Sequence, residues 1–335
     1  MASMCPGSKS EPNRLNLSLS TRDILQRRAQ VYAEIRAFFG ERVVLEVETP
    51  ILNLSSTPDP QIESLVCRDP TSSHGSLGFL HTSPEFGMKR LLAAGAGSIY
   101  QICKVFRAEE HGRWHRTEFS LLEWYRVGMD YQELMAEMET LIIHLCPQKA
   151  TAPFLRLTYR QLFETYLGVN PHLVEVQSLQ RLLVAHQIAT HTEILDRDPL
   201  LHILLSHVIE PQLRGVPFLF VYDFPVSQAA LARLRGGAEP IAERFELYAS
   251  GIELANGFQE LTDPEEQRQR FVNDNVVRRM QGKAEIPLDE EFLSALTLGL
   301  PECAGVALGL DRLLACLAGN TDLHAVLPLE VRLPV

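Results

Sequence analysis

The chain has 335 residues, 46% hydrophobic and 22% charged, a composition that belongs to a soluble globular protein and excludes a disordered or fibrous one. Its 31 basic and 42 acidic residues leave a net charge of −11, which disfavours the broad phosphate neutralisation behind non-specific nucleic-acid binding while leaving room for a local basic patch. The six cysteines (Cys5, Cys67, Cys103, Cys146, Cys303, Cys316) show no C-x-x-C pair or zinc spacing, and no run approaches the ~18 apolar residues of a membrane span, so a reduced, cytoplasmic protein is expected.

Residues 1–14 are small and polar and are expected to be mobile, ahead of one domain over 15–335 with no repeat, low-complexity block or linker. From Thr21 to Phe39 the apolar residues Ile24, Leu25, Ala29, Tyr32, Ile35, Phe38 and Phe39 recur at helical spacing, and Gly40 is expected to supply a left-handed stop. The β-branched run Val43–Val47 then predicts a strand closed by Thr49-Pro50. Residues 53–78 are rich in Ser, Pro, Asp and Gly and predict a long surface loop.

Two strands, 99–107 and 118–125, are expected on either side of a polar turn over 109–117, followed by a helix over 130–147. Residues 155–235 carry mixed helices and turns without a chemical motif. The last hundred residues predict strands around 245–253 and 256–262, a charged helix over 264–281 and an apolar helix from Asp311.

Common nucleotide and metal motifs are absent: Ala94-Gly95-Ala96-Gly97-Ser98 lacks the lysine of a phosphate-binding loop, no G-x-G-x-x-G opens a helix, and His111 and His115 do not form H-E-x-x-H. Three other segments stand out. They are the helix–strand–Pro50 unit, then Val105-Phe106-Arg107-Ala108-Glu109 with His115-Arg116-Thr117-Glu118-Phe119, and finally Gly305-Val306-Ala307-Leu308-Gly309-Leu310-Asp311-Arg312-Leu313. In this order they resemble motifs 1, 2 and 3 of class II aminoacyl-tRNA synthetases. The resemblance implies an α/β (α+β) catalytic domain, an antiparallel sheet flanked by helices, that uses ATP.

Amino-acid activation attacks the ATP α-phosphate, where a fixed guanidinium neutralises charge in transit. Arg107 matches that position and Arg312 a second catalytic arginine over the other face of adenine or on the γ-phosphate. The resemblance also places Glu109, Arg116, Phe119, Glu253, Leu254 and Gly309 at the nucleotide, with Gly305 and Gly309 allowing its close approach to the backbone. It assigns Glu246 and Glu253 to Mg2+ through hard oxygen ligation. Without the resemblance, Arg107 and Glu109 would read as a surface ion pair and the glutamates as solvated strand-edge charges.

Thr82-Ser83-Pro84-Glu85 with Lys89-Arg90-Leu91, Leu122-Glu123-Trp124-Tyr125, and Gly251 to Glu260 are similar to the substrate-pocket segments of lysyl-tRNA synthetases. Ser83, Glu85, Tyr125, Glu260 and Ala307 are thereby expected at the amino acid, the carboxylates meeting its side-chain ammonium. The first motif begins at about residue 22, which leaves no room for an anticodon-reading barrel. The chain therefore resembles the truncated lysyl-synthetase paralogues that attach lysine to elongation factor P. That family implies (R)-β-lysine as substrate, elongation factor P as protein partner, a homodimer, and neither tRNA nor membrane binding. The homodimer is further expected because Phe38, Phe39 and Val44 have no obvious cover.

Two positions depart from the usual patterns. Arg116 stands where the family has Asn, and Ala307 stands where lysyl-tRNA synthetases have Gly, which favours the ligase. A truncated lysyl-tRNA synthetase, an asparagine-synthetase-like ammonia ligase and a non-catalytic paralogue remain alternatives. Glu85 and Glu260 argue against the second, and the presence of both Arg107 and Arg312 against the third.

Overall fold

The structure, a computed structural model, describes residues 21–69, 71, 77–108, 112–149, 151, 153–189, 196–319 and 322–329. The segment 1–14 and the expected adenine contact Glu109 lie outside them. Helix α1 (Thr21–Glu41) leads into strand β1 (Leu45–Glu46), and β2 (Leu52–Asn53), β3 (Val66–Cys67) and β4 (Gly78–Leu80) form a small separate sheet in the order β2-β4-β3. Then come α2 (Glu85–Ala93), β5 (Ile99–Phe106), β6 (Glu118–Val127) and α3 (Tyr131–Leu145). The middle of the chain adds β7 (Phe154–Thr158), α4 (Tyr159–Leu167), α5 (Val176–Ala185), α6 (Arg197–Leu204) and β8 (Phe218–Pro225). It closes with β9 (Leu234–Arg235), β10 (Ile241–Ala249), β11 (Ile252–Gln259), α7 (Pro264–Met280), α8 (Glu290–Gly299), β12 (Cys303–Gly309) and α9 (Leu310–Leu317).

Among the described residues the main sheet has nine strands, in the order β1-β5-β6-β12-β11-β10-β8-β7 with β9 paired to β10. Its pairings are antiparallel from β5 through β8, and β1–β5 and β7–β8 are parallel, so the sheet is mixed at its two ends. Alternation along the strands divides its faces. Leu122 and Trp124 of β6 and Val306 and Leu308 of β12 enter a core with Phe38, Phe39 and Ile35 of α1 and Leu134, Met138 and Leu141 of α3. Glu123 and Tyr125 of β6 and Gly305 and Ala307 of β12 line a cavity on the opposite side.

The structure corrects five expectations. Gly40 lies inside α1, and the left-handed residue is the exposed Val43, at φ 55°. Both Phe39 and Val44 are buried, and Val44 N donates to Phe39 O at 3.0 Å, so the chain reverses tightly between them. The expected strand over 43–47 is therefore only Leu45–Glu46. The described part of residues 53–78 includes β3 and the facing ends of β2 and β4, with Ser55, Ser56 and Ser64 buried.

The β10–β11 turn falls at Ser250-Gly251, earlier than expected. Both residues have positive φ, 50° and 78°, as a two-residue hairpin turn requires, and a Cβ on Gly251 would sit 2.3 Å from Glu210 O. Finally, Phe38, Phe39 and Val44 are covered by the chain's own core, Phe39 stacking on Tyr100 at 4.5 Å, so their apolarity is no argument for a dimer.

Candidate active site

Pairing of β6, β12 and β11 places the functional side chains. Glu123 lies opposite Ala307, which lies opposite Asn256; Tyr125 lies opposite Gly305, which lies opposite Phe258. Together with α2 and the start of α9 these strands wall a cavity of about 220 Å³. Ser83, Glu85, Arg107, Arg116 and Phe119 line it, as do Tyr125, Glu253 and Leu254, and Glu260, Ala307, Gly309 and Arg312 complete the expected set. Of the expected site residues that are described, Glu246 alone is outside this wall.

At one end stand the two arginines. Arg107 follows β5, donates from Nε to Thr82 O at 3.4 Å and lies with its guanidinium 5.1 Å from the Phe119 ring centre. Arg312 donates to Trp114 O at 3.0 Å and Glu253 O at 2.9 Å, so backbone groups hold its fork in place. Arg116 donates to the carbonyls of Gly112 and His115, within its own turn. A Cβ added to Gly309 would meet nothing nearer than Leu254 O at 3.6 Å, so the protein's own packing does not demand glycine there.

Gly305 differs. A Cβ there would fall 2.3 Å from the Tyr125 ring and 2.4 Å from Glu260 Oε1. Only a hydrogen lets those two groups close over the strand.

The other end is acidic. Ser83 Oγ donates to Glu123 Oε2 at 2.7 Å and Tyr125 OH to Glu123 Oε1 at 2.7 Å. Lys89, fully buried on α2, lies 2.7 Å from Glu85 Oε1 and 2.5 Å from Glu260 Oε2. Lys89 and Glu260 form a close ion pair, and the Gly305 backbone also bonds to the Glu260 carboxylate. Burial, aided by Glu85, raises the carboxyl groups of Glu123 and Glu260, with Lys89 opposing the shift at Glu260. Burial and the surrounding carboxylates also keep the Tyr125 hydroxyl protonated, and therefore a donor.

Glu246 and Glu253 come from β10 and β11 across the hairpin. Glu246 is buried, accepts from Tyr248 OH at 2.6 Å and pairs with Arg244 at 2.5 Å; burial and the nearby Glu253 charge raise its carboxyl, against the pull of Arg244. Glu210 joins them from a segment without a recognisable motif and is raised to about 7 by burial, then by Glu253 and Glu246. No group of three or more His, Cys, Asp or Glu among the described residues could hold a metal ion by itself.

Sequence reasoning gave no role to Glu123, Lys89, Asp311, Arg28 or Glu210. Glu123 was legible in principle, being two residues before Tyr125 and so on the same face of its strand. Asp311 accepts from Ser120 N at 2.8 Å and pairs with Arg28 at 2.5 Å, contacts that no local pattern announces.

Residues 14–330 match the family model described as tRNA synthetases class II (D, K and N). The chain is 47% identical over 307 residues to the elongation factor P–(R)-β-lysine ligase of Vibrio cholerae, covering 90% of this chain and 93% of that one. It is 43% identical over 312 residues to the protein of the same name from Salmonella gallinarum, covering 92% and 94%.

Proposed function

The chain belongs to the class II tRNA synthetases of the D, K and N type, and within that family we propose that it is the ATP-dependent ligase that joins (R)-β-lysine to a lysine side chain of elongation factor P. One observation carries this reading: a single cavity holds Arg107 and Arg312 at one end and three carboxylates, Glu85, Glu123 and Glu260, at the other. The arginines suit a triphosphate and the carboxylates suit the ammonium groups of a lysine-like acid.

In the first step the substrate carboxylate oxygen attacks the α-phosphorus of ATP. An oxygen–phosphorus bond forms, the bond to the bridging oxygen breaks, and pyrophosphate leaves. Arg107, steadied by Thr82 O and the Phe119 ring, neutralises the charge that builds on the phosphoryl oxygens. Arg312 grips the far end of the nucleotide. In the second step the acceptor amine attacks the adenylate carbonyl carbon, an amide bond forms, AMP leaves and the amine gives up a proton.

Glu246 and Glu253 fit Mg2+ as hard oxygen donors whose mutual repulsion a cation would relieve, with ATP phosphates completing the shell. When bound, the ion supplies further neutralisation of phosphate charge.

A homodimer is supported by a different apolar surface from the one first expected: Val43, Leu45 and Leu54 beside the motif 1 unit are 90%, 57% and 83% exposed. A net charge of −11 favours a protein acceptor over tRNA, and no described helix is long and apolar enough to cross a membrane. The cytoplasm suits both the acceptor and the absence of disulfides among the described cysteines.

Amino-acid-dependent pyrophosphate exchange, comparing α-lysine with both β-lysine enantiomers and followed by transfer to elongation factor P, tests the reading. The expected result is preferred exchange with (R)-β-lysine and labelling of the protein. Exchange with α-lysine alone, together with charging of lysine tRNA, would establish a truncated synthetase instead.

A further inference from the structure

The amino-acid end of the cavity contains more buried charge than substrate recognition by a single carboxylate would need. Glu123 and Glu260 are 2% and 1% exposed, Glu85 is partly buried between them and α2, and Lys89 is 1% exposed. Three carboxylates against one ammonium leave two negative charges. An unpaired buried charge is strongly unfavourable, and these groups have little water to share.

We propose that Lys89 is a fixed internal counter-ion that sets this pocket at two negative charges, the number that the two ammonium groups of a diamino acid neutralise. The inference rests on the proposed function and adds to it a residue that determines specificity without touching the nucleotide.

Three observations support it. Lys89 reaches both Glu85 and Glu260 and therefore cannot be assigned to either carboxylate as a private partner. Glu260 stands in the wall of the cavity, so its pairing with Lys89 leaves its carboxylate within reach of a ligand. Glu123 is held by two neutral donors, Ser83 and Tyr125, which orient it without cancelling its charge.

The groups facing this cluster are Glu85 and Lys89 from α2, the Cys103 thiol of β5, Glu123 and Tyr125 from β6, Glu260 at the end of β11, and the Cys303 thiol of β12. Tyr125, Cys103 and Cys303 are all pushed up by burial and by carboxylates, so none adds charge near neutral pH. The raised carboxyl groups of Glu123 and Glu260 let the free enzyme offset part of this excess negative charge with bound protons. Two arriving ammonium groups displace them. Binding of a diamino acid is thus coupled to proton release, and it tightens as pH rises through the range in which the free pocket loses those protons.

Removal of Lys89 would leave three carboxylates for two ammonium groups. The complex would then have to keep one proton, and its affinity would fall as that proton is lost on the alkaline side.

Calorimetric titration of the full chain with (R)-β-lysine near neutral pH, in two buffers of different ionisation enthalpy, counts the protons. Release on the order of one proton per amino acid bound is expected. Binding with no release overturns the inference and leaves the proposed function standing; failure of both α- and β-lysine to bind overturns both.

The second measurement is the pH dependence of β-lysine affinity in Lys89→Met, with folding checked by circular dichroism. The pH of tightest binding should move toward acid by about one unit or more. A folded variant with the wild-type profile would make Lys89 an ordinary structural ion-pair partner. Should Lys89→Met fail to fold, Lys89→Gln, which keeps a polar chain without the charge, takes its place: the same acid shift supports the counter-ion role and a wild-type profile overturns it.

Discussion

Arg28 and Asp311 are 283 residues apart in sequence and 2.5 Å apart in the fold. The pair ties the motif 1 helix to the residue immediately before Arg312, while the second Asp311 oxygen accepts from Ser120 N at the start of the motif 2 strand. Arg28 also donates to Val326 O at 3.3 Å. One buried carboxylate thus joins all three motifs.

Arg28→Ala should therefore destabilise the fold by about 3–5 kcal/mol, because it strands the buried Asp311 carboxylate without its cation. Urea unfolding measures this. A loss below about 1 kcal/mol would place the pair among weak surface bridges.

Arg107→Ala should abolish adenylate formation and leave the fold intact. A positioned donor that stabilises transferring charge contributes roughly 3–4 kcal/mol to the transition state. Near-normal pyrophosphate exchange in the variant would remove Arg107 from the catalytic role.

Glu246→Gln and Glu253→Gln should each weaken magnesium-dependent ATP binding by removing a hard anionic oxygen. Titration with ATP at fixed Mg2+ reads the effect. Unchanged affinity in both variants would mean that the cation, if any, is held elsewhere.

Gly305→Ala forces a methyl to within 2.3 Å of the Tyr125 ring and 2.4 Å of Glu260 Oε1. The Tyr125 ring is buried in the cavity wall, and displacing it costs typically about 1–3 kcal/mol. The KM for the amino acid should rise more than the KM for ATP, since both displaced groups sit at the acidic end. Equal rises, or none, would contradict this geometry.

Ala307→Gly should raise α-lysine activation by roughly 10- to 200-fold, the usual value of about one methyl group in a pocket. Ala307 lies in the strand between Glu123 and Asn256 and lines the cavity, so its methyl would meet the proposed substrate. β-Lysine carries its amine one carbon further along and avoids that methyl. An unchanged ratio of β- to α-lysine efficiency would leave Ala307 as ordinary packing.

Elements with a strong local pattern were legible in advance. The β5–β6 hairpin lies where alternation and the polar turn put it, and α3 begins after Asp130, whose carboxylate accepts from Glu133 N in a capping box. The β10–β11 turn was misplaced because its geometry depends on Gly251 passing close to Glu210 O, a contact with a distant segment. Residues 53–78 looked like a loop because strands of two or three residues leave too short a run for alternation to register.

By itself the sequence determined the class of chemistry. The glycine-spaced Asp311-Arg312, the Arg107 segment and the acidic segments around Glu85 and Glu260 are each local, and their order along the chain identified the family. Only the tertiary structure decided how charge is distributed among them. Lys89 and Glu260 are 171 positions apart, yet the side chains meet at 2.5 Å, while Phe38 and Phe39 are covered from within and free of the role expected of them. The reason is physical: a side chain's chemical type is local information, but the compensation of a buried charge depends on every neighbour the fold brings within a few ångströms.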